Sequence, residues 1–352
     1  MPMNGGNWLS PPIRFSSIRF LPDWSNIIAE SGNKTVGALL LYMRTNSTGE
    51  FVFDWSWADA YERAGGRYYP KLVSAIPFTP VTGPRFLVRR DIENKTLVTD
   101  ALYKMAREYA VETDISGIHV LFPDNPDRQQ MKQRGLLLRE GCQYHWFNNH
   151  YSSFNDFLSR LTARKRKQIK RERNAVCTAD IEIEELSGRA ITPDHWSVFH
   201  GFYSSTFYRK WGEPRLTLDF FQSLSRIMPE APVLFMAKHK GEYVAGAFAM
   251  QGTDTLFGRH WGCSEHFRFL HFELCYYQTI EYCIRRGFST LDAGVQGEHK
   301  LSRGFIPVRT WSAHWIADNA FRDAIAHYLD YEHNAIEDYI NDLQHHLAYK
   351  AA

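Results

Sequence analysis

No CxxC pair, no regular cysteine framework and no HExxH pattern occurs in this sequence. Its five cysteines, Cys142, Cys177, Cys263, Cys275 and Cys283, stand singly. That spacing argues against a zinc ribbon or a disulfide scaffold and for reduced, mostly buried thiols, and no metal is expected. Apolar runs of membrane-spanning length, about 20 residues, are missing as well; the longest, VGALLLYM, is strand-sized. The N-terminus shows no basic-then-apolar signal pattern, so the expectation is a cytoplasmic chain without a transmembrane segment. Excess charge of one sign is also lacking: the formal net charge is +2. Any contact with nucleic acid or another anion must therefore come from a local patch rather than from the overall field.

What the chain does have is the composition of a folded protein, 44% hydrophobic and 15% aromatic over 352 residues. That length exceeds most single cores and implies about two domains. TVGALLLYMR (35–44) predicts a buried strand, and GEFVFDWSW (49–57) alternates like its hairpin partner across the turn NSTG. Prolines at 70, 77, 80 and 84 exclude a long central strand in the stretch that follows. KTLVTDALYKMAREYAVE places Leu97, Ala101, Met105 and Tyr109 at helical spacing, and SGIHVLFP after it predicts a strand. A short helix and the strand CQYHWFNNH complete the first half.

The second half repeats this order. A helix capped at Ser152 or Ser153 runs through RKRKQIKRER, DIEIEEL is a strand, and two helices precede three strands between residues 232 and 263. A helix over about 271–286 crosses into the strand STLDAG, the loop 292–305, a last strand and a closing helix. Strict β-α alternation is absent, so a doubly wound sheet is not indicated.

Chemistry concentrates on that loop, DAGVQGEHKLSRGF, at the carboxyl end of a crossover strand, where open sheets place ligands. Glycines there let backbone amides approach a substrate, and Lys300 and Arg303 supply donors for a phosphate or carboxylate. Asp292, Glu298 or His299 is the candidate proton acceptor, and Gln296 is a further polar contact on the same turn. Arg259, His260 and Trp261, in GRHWGC, lie at a strand end, with Glu273 and Tyr276 opening the next helix. The cationic helix over 164–173, with Arg166, Lys167, Lys170 and Arg171, suits polyphosphate or RNA. In the first half, Asp54, Trp55, Tyr69, Lys71 and Arg85 combine aromatics and charge where regular structure breaks, as a sugar or peptide groove would require.

Six segments in order, GEFVFDWSWADAYERAGGRYYPKL, PFTPVTGPR, RKRKQIKRER, GRHWGC, LHFELCYYQ and GVQGEHKLSRGF, resemble the FemAB-like group of the GNAT acyltransferase superfamily. The resemblance covers about residues 35–335. It implies an α/β (α+β) fold of two tandem GNAT-like domains with mainly antiparallel mixed sheets flanked by helices, divided as 1–150 and 151–352. Residues 1–30 look short and unmatched, so the first domain is read as incomplete at its start. By analogy with the Fem aminoacyl transferases, the resemblance implies acyl or aminoacyl transfer to the amine of a peptide or peptidoglycan precursor, with no bound cofactor. The donor so implied is aminoacyl-tRNA held by the basic helix. The glycine turn that holds the CoA pyrophosphate in ordinary GNAT enzymes is absent near residue 271, which disfavours acetyl-CoA. The alternatives are a non-catalytic module that binds a wall fragment or nucleic acid, and acetyl-CoA-dependent N-acetylation. Catalytic roles fall to Lys300, Glu273, His299 and Asp292. Nothing in the residues speaks to oligomeric state.

Overall fold

A computed structural model describes residues 14–21, 24–31, 33–209, 212–295 and 297–350. In chain order the elements are β1 (Arg14–Leu21), β2 (Trp24–Ser31), β3 (Lys34–Arg44), α1 (Trp55–Arg63), β4 (Lys71–Ser74), β5 (Phe86–Val88), α2 (Lys95–Glu112), β6 (Gly117–Leu121), α3 (Asn125–Gln133) and β7 (Leu137–Phe147). There follow α4 (Phe154–Arg160), α5 (Ala163–Cys177), β8 (Ile181–Ser187), α6 (Pro193–Tyr208), α7 (Leu218–Ile227), β9 (Pro232–His239), β10 (Glu242–Gln251) and β11 (Thr255–Cys263). The chain ends with α8 (Leu270–Phe272), a π-helical turn (Glu273–Tyr277), α9 (Gln278–Arg286), β12 (Thr290–Asp292), a tight turn (Glu298–Arg303), β13 (Ile306–Ile316) and α10 (Asn319–Gln344).

Two compact units result, one of residues 1–141 with 310–336, the other of 142–309 with 337–352. This division differs from a single cut at residue 150, because the chain returns to the first unit to supply most of β13 and the first part of α10.

In the first unit the strand order is β1-β2-β3-β4-β6-β13, antiparallel except for the β4–β6 pair, with β5 beside β3. The strands β1 and β2 lie in the stretch read as short and unmatched; residues 1–13 fall outside the described residues. Helix α2 forms where its spacing predicts, with Asn94 accepting from the Leu97 amide at its start. Its buried stripe is Val98, Leu102, Ala106 and Ala110, and Leu97 is exposed. Two stripes one residue apart share the same period, and contact with the sheet selects between them. Gly37 permits that contact, since a Cβ there would meet Val98 at 2.5 Å.

The expected hairpin partner over 49–57 is instead a loop leading into α1. Phe51 and Phe53 take positive φ of 63° and 56°, which ends any strand, and Glu50 and Asp54 turn inward to a buried lysine. The alternation there records charge burial rather than a pleated face.

The second unit orders its strands β7-β12-β11-β10-β9-β8, antiparallel except for β12–β11. Strand β9 is buried on both faces: Val233, Phe235 and Ala237 join one apolar cluster, Leu234 and Met236 another. Helices α6 and α7 cover the second cluster, and α4, α5 and α9 the first. The helix expected from residue 153 is two. Ser153 caps α4 by accepting from the Asp156 amide, and an extended Leu161 separates it from α5.

Candidate active site

The geometry of the site begins with a parting of strands in the second unit. Strand β11 pairs in parallel with β12 only from Thr255–Thr290 to Phe257–Asp292, then runs on alone on that side to Cys263. On its other side the register with β10 shifts: His260 faces Phe248 while Gly258 faces Ala249, leaving Arg259 as the extra residue of a bulge. Beside this stretch of β11 lies a cavity of about 110 Å³, walled by Arg259, His260, Trp261, His271, Cys275 and Tyr276, with residues 247–249 of β10 and Ala293, just past β12, also lining it. The sequence-predicted trio at GRHWGC thus lines one wall and Tyr276 the facing one.

Tyr276 reaches that wall through the π-helical turn, whose wider step also turns Glu273, Leu274 and Tyr277 inward. Its hydroxyl lies 2.8 Å from His299 Nε2. Burial lowers the pKa of His260 to about 3 and of His271 to about 4, and partial burial beside Arg303 and Lys300 lowers that of His299. All three imidazoles are neutral at pH 7.

Lys300 lies behind this wall, bonded to one of its residues. Its ammonium donates to the carbonyls of Ala293 and Gly294 at 2.7 and 2.8 Å, and Ala293 lines the cavity. The side chain is 2% exposed, and burial, opposed by Asp292, draws its pKa from the ordinary 10.5 to about 8. Asp292 accepts from the Gly294 amide at 2.8 Å and lies 3.7 Å from His145 Nε2. His145, unnoticed in the sequence, arrives because β7 pairs with β12. Glu298 is exposed and accepts from Tyr339 at 2.9 Å, and Tyr339 meets the Tyr144 hydroxyl at 2.8 Å. Gln296 lies outside the described residues.

Two expected site residues serve the scaffold. Every donor nitrogen of Arg303 is engaged internally: Nε to Tyr277, Nη1 to the His299 carbonyl, and Nη2 to both oxygens of Glu172 at 2.9 and 2.8 Å. Glu273 is closed by Arg173, 3.0 Å away, and by Gln278. Arg303 therefore has no donor left for a phosphate, and Glu273 is held in an ion pair rather than poised to take a proton. Sequence reasoning passed over Glu172, the single acid in the basic run. Its register with Ile169 and Val176, the buried positions of α5, is the signal that marked it as inward. The cationic residues divide accordingly: Lys167, Lys170 and Arg171 face solvent, while Arg166 is half-buried and donates to the Leu161 carbonyl.

The first-unit candidates do not gather into a groove. Lys71 is fully buried, bonded to Ser47, Glu50 and Asp54. Burial works against the Asp54 charge, yet Lys71 and His119 outweigh it and hold that carboxyl below its usual range. Arg85, 5% exposed, donates to the carbonyls of Leu121, Gly83, Pro84 and Val81. Trp55 is exposed, and Tyr69 is half-buried with its hydroxyl 2.9 Å from Ser47 Oγ.

Residues 21–351 match the FemAB-like family, described as peptidoglycan biosynthesis/recognition. The chain belongs to that family. Among solved structures, the FemAB-like chain is similar to FemX, at 13% identity and a TM-score of 0.52, covering 86% of this chain and 90% of that one. It is also similar to L-PGS from Bacillus licheniformis, at 9% identity and a TM-score of 0.55, covering 87% and 89%. Likeness at such identities concerns the fold alone, an α/β arrangement of mainly antiparallel sheets flanked by helices. No curated protein matches the FemAB-like chain. Among its described residues no helix is long and apolar enough to cross a membrane.

Proposed function

We propose that the second unit transfers an acyl or aminoacyl group from an ester donor to the amine of a peptide or cell-wall precursor. The observation that carries this reading is Lys300, a buried cation whose ammonium holds the carbonyl of Ala293, a residue of the cavity wall. In such a reaction the amine nitrogen bonds to the carbonyl carbon, the ester C–O bond breaks, a proton leaves the nitrogen, and the leaving oxygen gains one. Arg259, in the cavity wall, answers the charge that develops on the carbonyl oxygen. Lys300, still mostly protonated at pH 7, answers the leaving oxygen. His299, neutral and bonded to Tyr276, is the proton acceptor of this proposal.

The donor best fitted to the exposed Lys167, Lys170 and Arg171 is one with a polyanionic handle, as aminoacyl-tRNA has. The family's description supports the wall-precursor acceptor. The test supplies charged tRNA or acyl-CoA with muropeptide amines and follows acylated product by mass spectrometry. Lys300→Met is expected to lower turnover roughly 100- to 1,000-fold while donor binding persists. Unchanged turnover in that variant would remove Lys300 from the mechanism, and no transfer from either donor class would remove the proposal and leave a binding module.

A further inference from the structure

The first unit holds a cavity of about 370 Å³ that the transfer reaction does not use. Strands β3 and β4 and the loops after them build it, with Tyr42, Val73, Ala75 and Phe78 among its largely apolar walls and Arg44 and Glu50 at its polar end.

The state of Glu50 follows from Lys71. The three protons of that buried ammonium go to Ser47 Oγ at 2.8 Å, Glu50 Oε2 at 2.7 Å and Asp54 Oδ2 at 2.6 Å. Glu50 Oε1 receives none of them. It is buried without a hydrogen-bond partner, on a side chain only 6% exposed. Arg44 Nε lies 3.5 Å away, an ion-pair contact without a hydrogen bond, and it too is a buried nitrogen with no hydrogen-bond partner. The guanidinium cannot simply turn to close that gap, because its Nη2 is tied to the Thr48 carbonyl at 2.8 Å. A carboxylate oxygen that needs a donor and a guanidinium N–H that needs an acceptor thus stand side by side at the edge of a ligand-sized space. Native proteins seldom leave buried polar atoms in that condition.

The complement to such a pair is a group carrying a cation and an anion a few ångströms apart, since charge-assisted bonds to both ends are stronger than neutral ones. An ammonium and a carboxylate on one carbon satisfy this, and the apolar walls suit an aliphatic or aromatic side chain. We propose that the cavity beside Glu50 and Arg44 binds a free α-amino acid with an apolar side chain, its ammonium on Glu50 Oε1 and its carboxylate on Arg44 Nε.

Isothermal titration of the full chain with leucine and phenylalanine, and with leucinamide and N-acetylleucine as forms lacking one charge, tests this. The zwitterions are expected to bind, each masked form at least about tenfold more weakly, and Arg44→Met should weaken leucine to a similar degree. Glu50→Gln disturbs the Lys71 cluster, so Ala75→Phe, which fills the cavity from its apolar side, serves as the second variant and should abolish binding with the melting temperature kept. Lys300→Met should bind leucine as the wild type does, which keeps this result separate from transfer. Absence of binding to the wild type, equal affinity for a masked form, or unaltered binding by Ala75→Phe would each overturn the proposal.

Discussion

Arg303→Met should be among the most damaging single changes in the second unit, though Arg303 does not line the cavity. The guanidinium neutralises Glu172, a carboxylate 2% exposed, with two bonds of 2.9 and 2.8 Å, and it stacks 3.5 Å over the Phe272 ring. Removing it leaves Glu172 with Gln168 and Tyr277 as partners and no cation. An uncompensated buried charge of this kind costs about 3–5 kcal/mol. At about 2–4 °C per kcal/mol for a domain of this size, the melting temperature should fall by roughly 6–20 °C. Replacing both partners with apolar residues removes the stranded charge, so Glu172→Leu/Arg303→Met should regain a large share of the loss, with a coupling of about 2 kcal/mol or more. Urea unfolding of wild type, both single variants and the double, followed by tryptophan fluorescence, measures the cycle. A loss under about 1 kcal/mol for Arg303→Met, or a double variant as unstable as the sum of the singles, would refute the reasoning.

Burial lowers the Lys300 pKa from 10.5 to about 8, so between those values the unfolded chain holds a proton that the native chain has released. Stability must then rise with pH across that window, while below pH 8 the full cost of burying the charge remains. The wild-type unfolding free energy, minus that of Lys300→Met, should climb from pH 8 to 10.5, and a flat difference would contradict the assignment. Reversing Lys167, Lys170 and Arg171 to glutamate should leave the melting temperature within about 2 °C, since all three are exposed. It should also cut the salt dependence of tRNA binding by roughly 0.7–0.9 log units per lost phosphate contact, and an unchanged salt slope would show that this face carries no nucleic acid. Gly262→Ala should cost about 1–3 kcal/mol or more, because its Cβ would lie 2.0 Å from the Phe202 carbonyl oxygen on α6. Gly201→Ala on that same helix meets nothing within 4 Å and should gain about 0.5–1 kcal/mol; chemical denaturation distinguishes the two signs.

Local periodicity carried most of the element order. Helix α2, strands β8 to β12 and the cap at Ser153 lie where spacing and turn residues place them, because each is decided by neighbours in the chain. What escaped depends on partners distant in sequence. His145 reaches Asp292 only through the pairing of β7 with β12, and the bulge that singles out Arg259 needs the register with β10. The charges were visible, but their use was not: Lys71, Arg85 and Arg303 looked like ligand groups, and each turned out to be saturated by its own surroundings. Conversely, Glu172 hid inside a cationic run because composition is read along the chain, whereas burial follows one face of a helix.

The return of residues 310–336 to the first unit bears on biosynthesis. The neighbour that β6 needs on one side does not leave the ribosome until residue 316 has been made, so that sheet must wait with an open edge while the whole intervening stretch is translated. Expressing the first 141 residues alone should therefore give an aggregating fragment, whereas a circular permutant that joins the two separated stretches would let the unit close in one pass.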